Sequence, residues 1–126
     1  MPSLGEHPLI GFVPCTDAAR ACAFYEDTLG LALRNDDGFA LVFGVGDRTL
    51  RVVTVGEFTA QPFTVLGWDV PDVAAAVSEL SAKGVEFLRF GHFDQDPAGI
   101  WTAPSGDKVA WFNDPDGNVL SVSSHS

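Results

Sequence analysis

The chain presents one sequence plan twice. The segment 12–17 leads into an alanine-rich helical stretch that closes at Gly30, and the segment 68–72 leads into a second one that closes at Gly84. The aspartates that open the two stretches and the glycines that close them have offsets that agree to within one residue. Each half alone is too small to enclose a solid core, so the repeat predicts two similar units that bury their apolar faces by packing or pairing.

Hydrophobic periodicity assigns the same element order, one strand, one helix and three strands, to both halves. Asp17 supplies the negative charge that is favoured where a helix begins, and the first helix is expected to end near Leu29. In the second half, Val73, Val77 and Leu80 recur at helical spacing. The predicted strands are 8–13, 31–34, 39–44 and 49–55 in the first half, and 63–70, 85–90, 108–113 and 119–123 in the second.

At 126 residues with 46% hydrophobic side chains, the chain is long enough for one compact domain and too short for two independent ones. We predict a single domain, 1–126, made of module one at 8–55, a linker at 56–62 and module two at 63–123. The segment 91–106 lies outside the repeat and carries aromatic residues. An insertion of that length in a compact domain is usually functional or disordered, and its aromatic content favours order.

Charge and cysteine content exclude several classes of partner. The formal net charge of −10 repels phosphate backbones and anionic membrane surfaces, so nucleic acid and membrane partners are not expected. The sequence lacks a membrane-spanning apolar run and the positive start of a signal peptide, which predicts a cytoplasmic protein. Cys15 and Cys22 are the two cysteines, and they form no disulfide framework.

Two segments resemble a known family. The segments 23–31 and 111–120, together with the repeated plan, are similar to the vicinal oxygen chelate superfamily, which includes glyoxalase I, extradiol dioxygenases, fosfomycin resistance enzymes and bleomycin-binding proteins. The resemblance covers almost the whole chain. It implies an α+β fold of two paired βαβββ modules, whose curved mixed sheet forms a cup with the ligand inside and the helices on the outer faces.

The resemblance also implies where a metal ion would bind. Metal-dependent members hold a divalent ion on His, Gln or Glu side chains, and the positions corresponding to those ligands are Ile10, Arg51, Val65 and Ser121 in this sequence. None of the four is a usual ligand for such a cation, and Arg51 adds a repelling charge. We therefore expect neither the family's metal ion nor another cofactor.

Without a metal, the cup is expected to be an apolar pocket. Strand side chains alternate between faces, so neighbours two residues from the former ligand positions share the inward face. The expected ligand-binding residues are Ile10, Phe12, Phe43, Arg51, Phe63, Val65, Trp101, Val109, Trp111 and Ser121. Such a pocket suits an apolar or aromatic molecule with an acidic or carbonyl group. Alternatively, the aromatic side chains fill the cup and Arg51 pairs with an acid at its rim.

Two further groups of polar residues are open to more than one interpretation. His92 in the insertion is a candidate general base with Asp94 or Asp96 as its orienting partner, although a solvated acidic loop is the simpler interpretation. Asp114 begins a segment that imitates a calcium loop. The bidentate Glu of such a loop is replaced by His125, so a hairpin turn explains the segment better.

These observations favour a metal-free small-molecule binding protein of the glyoxalase and bleomycin-resistance type. The alternative is a metal-independent enzyme that performs proton transfer or lyase or isomerase chemistry on a carbonyl or acid substrate. Metal-dependent glyoxalase or dioxygenase chemistry is less favoured, because its ligands are not found. Paired modules expose sheet edges and apolar faces, so a homodimer is expected, with the cup completed either within one chain or between two.

Overall fold

The computed structural model describes residues 3–125, which form two compact units that divide between Thr59 and Ala60. Each unit contains a four-stranded mixed sheet and one helical segment packed on it. The segment 56–62 contains neither helix nor strand. Within residues 3–125, every helix is too short or too polar to span a membrane.

The first unit has the predicted order of one strand, one helical segment and three strands. After a short 3-10 helix (Leu4–Glu6), its elements are strand β1 (Ile10–Cys15), helix α1 (Ala18–Cys22) continued by a π-helical turn (Ala23–Thr28), and strands β2 (Ala32–Asp36), β3 (Ala40–Val45) and β4 (Arg48–Thr54). The strands lie in the order β1-β4-β3-β2, with β1 parallel to β4 and the other pairs antiparallel. Asp17 caps α1 by accepting a hydrogen bond from the Arg20 backbone N–H at 3.1 Å.

The second unit repeats this topology. Its elements are strand β5 (Thr64–Asp69), helix α2 (Val73–Ala82), and strands β6 (Trp101–Thr102), β7 (Lys108–Asn113) and β8 (Val119–Ser124). The strands lie in the order β5-β8-β7-β6, again with one parallel pair, β5 and β8. Asp72 caps α2 through the Ala75 N–H. The α+β class and the two βαβββ modules are thus confirmed.

The strand predicted at 85–90 is wrong. This segment forms one isolated bridge between Phe87 and Phe112, and the fourth strand of the sheet is β6, inside the insertion. The reason is a competing side chain. The Gln95 amide oxygen accepts from the Phe90 N–H at 2.7 Å, and its nitrogen donates to the Leu88 carbonyl at 2.9 Å. Backbone groups that a neighbouring strand would bind are therefore occupied by an amide side chain.

The two sides of each sheet differ in character. On the first sheet, one side is buried and includes Val13, Val52 and Phe43, with Phe43 packed against Tyr25 of the helical segment at 5.9 Å between ring centroids. On the second sheet, α2 packs on β7 and β8, where Phe112 and Leu120 are fully buried. The opposite side of each sheet, which carries no helix of its own unit, is called the helix-free face below.

The segment 114–118 is a tight turn. Asp114 Oδ1 accepts hydrogen bonds from the backbone N–H groups of Asp116 at 3.0 Å and Asn118 at 2.9 Å, and Oδ2 accepts from Asn118 Nδ2 at 2.9 Å. Asp114 is only 5% exposed, so its carboxylate is directed at the turn that it organises. The hairpin-turn interpretation of this acidic segment is confirmed.

Candidate functional site

Four of the predicted site residues share the helix-free face of the second sheet. Trp111 lies opposite Ser121, and Val109 lies opposite both Ser123 and Trp101. Directly opposed residues in a sheet point to the same side, and residues two apart on one strand do as well. Trp101, Val109, Trp111 and Ser121 are therefore brought together on this face.

The insertion covers part of this face with aromatic rings. The Phe93 ring stacks on Trp101, with centroids 4.5 Å apart and planes at 29°, and on Trp111, at 5.3 Å and 5°; the two tryptophan rings are themselves 6.2 Å apart. Phe90 meets Trp111 edge to face at 5.2 Å and 84°. His92 packs on Phe93 with ring centroids 4.3 Å apart. Stacked and edge-to-face pairs each add about 0.5–1.5 kcal/mol beyond their buried area, so this aromatic cluster orders the insertion on the sheet.

Gln95 and Asp96 hold the backbone of the insertion beneath the aromatic cluster. The Gln95 amide nitrogen donates to the Gly99 carbonyl at 2.7 Å in addition to its bonds with Leu88 and Phe90. Asp96 Oδ1 accepts from the Ile100 N–H at 2.9 Å and from one further N–H of the same turn. Sequence reasoning missed Gln95. The one available signal was a neutral amide placed between two acids in an aromatic segment.

A cleft of about 260 Å³ opens beside the aromatic cluster. Its lining residues are Pro62, Phe63, Thr64, Phe90, His92, Phe93, Trp111 and Val119. All belong to the second unit. Among the predicted site residues, Phe63, His92 and Trp111 line this cleft, and Val65 lies at a register irregularity in β5 beside it.

Ser121 lies on the floor of this face rather than at the cleft surface. It is 7% exposed, and a Cβ on Gly67, its neighbour in β5, would lie 2.6 Å from the Ser121 Oγ. The hydroxyl therefore occupies the space that the side chain of a larger residue at position 67 would fill. The absence of a side chain at Gly67 is what accommodates Ser121.

His92 does not have the partner predicted for it. Asp96 Oδ1 is already bonded to the backbone of its own turn. Among residues 3–125, no hydrogen bond or ion pair joins His92 to Asp94 or Asp96, and its neighbours are the rings of Phe90 and Phe93. The orienting aspartate predicted for His92 is therefore not seen among the described residues, because the backbone of its own turn engages Asp96. His92 remains in the cleft as a single exposed imidazole.

In the first unit, Arg51 lies on the helix-free face opposite Phe12 and Val42. Its Nη2 atom is 3.0 Å from Asp37 Oδ2. Backbone hydrogen bonds from Phe39 and Ala40, followed by the bond from Arg51, lower the pKa of Asp37, which keeps this carboxyl ionised. Arg51 thus pairs with an acid, which is the alternative arrangement that the sequence left open.

Phe43 lies on the wrong face for the role predicted for it. It is fully buried against Tyr25 and lies opposite Leu50 in the sheet, whereas Arg51 lies opposite Val42. Because faces alternate residue by residue, Phe43 belongs to the core and does not line the face that carries Arg51. Ile10 and Phe12 are 49% and 63% exposed, as a ligand-facing position requires.

Arg34 is a cation that sequence reasoning missed. A register irregularity separates Leu33 from Asn35 in β2, and the Arg34 guanidinium lies directly over Gly44, where a Cβ would clash with it. Within the described residues, no carboxylate forms an ion pair with Arg34. The only sequence signal was a glycine in the middle of a predicted strand, which is typical of close approach by another group.

The residues at the family's metal positions do not fit a divalent cation. Ile10 and Val65 carry no donor atom, Arg51 is cationic, and the Ser121 hydroxyl is buried above Gly67. Within the part of the chain that the structure describes, no group of three His, Cys, Asp or Glu side chains could hold a metal ion. The donor set is therefore incompatible with the metal site that the fold family implies.

Comparison with solved structures shows the same fold at low sequence identity. A superfamily member from Sphaerobacter thermophilus superposes with a TM-score of 0.74 at 18% identity, covering 94% of this chain and 97% of that one. A lactoylglutathione lyase from Agrobacterium tumefaciens gives 0.72 at 18% identity, covering 97% and 96%. A glyoxalase family protein from Enterococcus faecalis gives 0.68 at 19% identity, covering 94% and 95%.

No curated protein sequence matches the chain significantly. The family model of the Glyoxalase/Bleomycin resistance protein/Dioxygenase superfamily, in contrast, matches residues 7–122. That match includes the first βαβββ module, the insertion that lines the cleft, and the second module as far as Val122 in β8. The chain therefore belongs to the Glyoxalase/Bleomycin resistance protein/Dioxygenase superfamily.

Proposed function

We propose that this protein binds a small, flat, apolar or aromatic molecule carrying a carbonyl or acidic group, and that it does so without a metal ion. The observation that carries this proposal is the aromatic cleft in the second unit. Ligand sites are typically concave, mostly apolar and supplied with a few polar groups, and this cleft has all three properties.

The size and lining of the cleft favour one ring system. Its volume of about 260 Å³ lies just below the ~300–1,000 Å³ of sites for drug-sized ligands. Phe63 and Trp111 offer ring surfaces on which a planar ligand can stack. A larger ligand would place one ring system in the cleft and leave the remainder in solvent.

The polar groups of the cleft favour a ligand with an oxygen acceptor. His92 and Thr64 are both exposed there, and each can donate a hydrogen bond to a carbonyl or carboxylate oxygen. His92 has no competing carboxylate partner among the described residues, so its ring nitrogens are available to a ligand. A protonated His92 would bind a carboxylate more strongly than a neutral one.

Phe63 and Phe39 form a matched pair for testing this cleft. Both are exposed phenylalanines, at 59% and 79%, but only Phe63 lines the cleft. A thermal-shift screen of aromatic acids, ketoacids and glycopeptide drugs would select the ligand that raises the melting temperature most. By calorimetry, Phe63→Ala should lower the affinity for that ligand by about tenfold, which corresponds to about 1.5 kcal/mol of lost apolar burial. Phe39→Ala should leave the affinity unchanged. Equal affinities in the two variants would contradict binding in this cleft.

The alternative function is metal-independent proton transfer with His92 as the base, and the position of His92 in the cleft is the observation that favours it. Because no carboxylate of the described chain orients the imidazole, we expect binding without catalysis. Carbon-bound protons of the selected ligand should exchange with deuterium oxide no faster than in buffer, measured by NMR. Faster exchange in the parent protein would instead establish catalysis, provided that His92→Ala slows it by about 10²- to 10⁴-fold and His7→Ala does not change it.

The absence of suitable donors makes metal content a direct test. With Ile10, Arg51, Val65 and Ser121 at the family's metal positions, protein purified without chelator should carry no stoichiometric zinc, nickel, manganese or iron. Addition of a chelator should leave the melting temperature unchanged. One equivalent of any of these metals by elemental analysis would overturn the metal-free proposal.

We also propose that the protein is a homodimer. Ile10 and Phe12 are exposed on the helix-free face of the first sheet, next to the edge of that sheet formed by β1. Exposed apolar side chains beside an unpaired strand edge favour association with a second copy. A closed two-fold interface buries the same patch on both copies.

Light scattering should give a mass of twice 13.4 kDa at micromolar concentration. Phe12→Asp should shift the protein towards monomer, because a carboxylate in an apolar interface loses its hydration. Phe39→Asp, which adds the same charge in the turn before β3, should leave the mass unchanged. A monomeric parent protein would rule out the dimer.

A further inference from the structure

A serine, a histidine and an aspartate are linked at the end of β8. The Ser123 Oγ lies 3.0 Å from His125 Nε2, and His125 Nδ1 lies 3.1 Å from Asp107 Oδ2. We propose that these three residues form a nucleophilic site for acyl transfer, in which Ser123 is acylated by a neutral ester. This activity goes beyond the proposed ligand binding and does not depend on it.

Sheet register explains why these residues meet. Lys108 lies opposite Ser124 in the antiparallel pair of β7 and β8, so the next opposed positions are Asp107 and His125. Ser123 and His125 are two residues apart on extended backbone and therefore point to one side. The turn that precedes β7 is closed by a hydrogen bond of 2.8 Å from the Ala103 N–H to the Asp107 carbonyl. A rigid hairpin thus holds the carboxylate beside the imidazole.

The order of the hydrogen bonds gives each residue its role. A carboxylate can only accept, so a neutral His125 must carry its proton on Nδ1 and donate it to Asp107. Nε2 is then an acceptor, and it receives the hydrogen bond of the Ser123 hydroxyl. This arrangement of nucleophile, base and orienting acid is the one by which a serine hydroxyl is activated. Asp107 acts as a positioning residue, while Ser123 and His125 would contact the reacting atoms.

The surroundings select the class of ester. Val109, which lies opposite Ser123, also lies opposite Trp101, so an aromatic surface flanks the nucleophile. Asp69 lies opposite Ser123 on the other side, and Asp107 adds a second carboxylate. Two negative charges repel anionic substrates and favour neutral aryl esters. The His125 and Asp107 side chains are 55% and 26% exposed, so both the ester and the hydrolytic water can reach the site.

The reaction balances with water as the only co-reactant. Ser123 Oγ bonds to the ester carbonyl carbon while its proton passes to His125 Nε2. The tetrahedral adduct then expels the phenol, which takes that proton, and leaves the acyl group on Ser123. Water attacks the acyl carbon, again losing a proton to Nε2, and Ser123 is released with a carboxylic acid as the second product.

This site is separate from the aromatic cleft. Val119 lines the cleft at the start of β8, and Ser123 lies four residues later, which corresponds to about 13 Å along an extended strand. A substitution at Ser123 therefore leaves the lining residues of the cleft in place. Loss of acyl transfer and loss of ligand binding can be distinguished by measuring both in one variant.

The test is the hydrolysis of para-nitrophenyl acetate, followed by mass spectrometry of the acetylated protein. We expect Ser123→Ala and His125→Ala each to reduce the rate by about 10²-fold. Ser124→Ala and His7→Ala are matched controls that should retain the parent rate, because neither residue belongs to the triad. Asp107→Asn should reduce the rate. Asp107→Glu should keep part of the parent rate, because its carboxylate can still orient the imidazole. The acetyl group should be found on Ser123.

Three results would overturn the proposal. One is a parent rate no greater than that of an equal concentration of free imidazole. Another is an undiminished rate in Ser123→Ala, which would show hydrolysis by surface histidines alone. The third is acetylation confined to lysine or the N-terminal amine. Melting temperatures of all variants, compared with the parent, would exclude unfolding as the cause of any loss.

Discussion

The contact of the Gln95 side chain with three backbone groups is the constraint on which the candidate site depends. Its amide binds Leu88, Phe90 and Gly99, and so folds the insertion back onto its own sheet. Phe93 can then stack on Trp101 and Trp111. These rings can stack only when the Gln95 hydrogen bonds have folded the backbone of the insertion back onto the sheet. A polar contact therefore determines the shape of an apolar cleft.

The charge distribution favours ligand binding in the second unit over the first. The sequence predicts Arg51 as a cation for an acidic ligand, but Asp37 accepts the hydrogen bond of Arg51 and those of two backbone N–H groups. An anionic ligand at Arg51 would have to displace a carboxylate that is already well satisfied. Such competition lowers the affinity of Arg51 for an anionic ligand, because replacing Asp37 by another anion in a partly exposed ion pair gives little net free energy. Among residues 3–125, no carboxylate competes in this way for His92 in the cleft.

Sequence reasoning predicted those parts of the fold that depend on local patterns. The helix caps at Asp17 and Asp72, the turn at Asp114 and seven of the eight strands follow from periodicity and turn chemistry. The eighth strand was misplaced because the Gln95 amide competes for the backbone across several residues. Phe43 was assigned to the wrong face because an error of one residue inverts the orientation of every side chain on a strand.

The candidate site was only partly predictable, for a related reason. Phe63, His92 and Trp111 could be placed at the cleft because strand parity and the insertion are visible in the sequence. The position of the Arg34 side chain over Gly44 could not be predicted, because the register irregularity in β2 redirects it. The linkage of Asp107, Ser123 and His125 could not be predicted either, because it depends on the pairing register of strands β7 and β8, which periodicity along each strand does not give.

Strand β8 shows how one face can carry different chemistry along its length. Val119, Ser121 and Ser123 alternate onto the helix-free face and present an apolar surface, a buried hydroxyl and a hydrogen-bonded hydroxyl in turn. The middle position is the one to which the family resemblance assigns a metal ligand, and here the Ser121 hydroxyl lies above Gly67. The two proposed sites lie at the two ends of the strand, away from this buried hydroxyl. The aromatic cleft lies at one end and the serine, histidine and aspartate lie at the other.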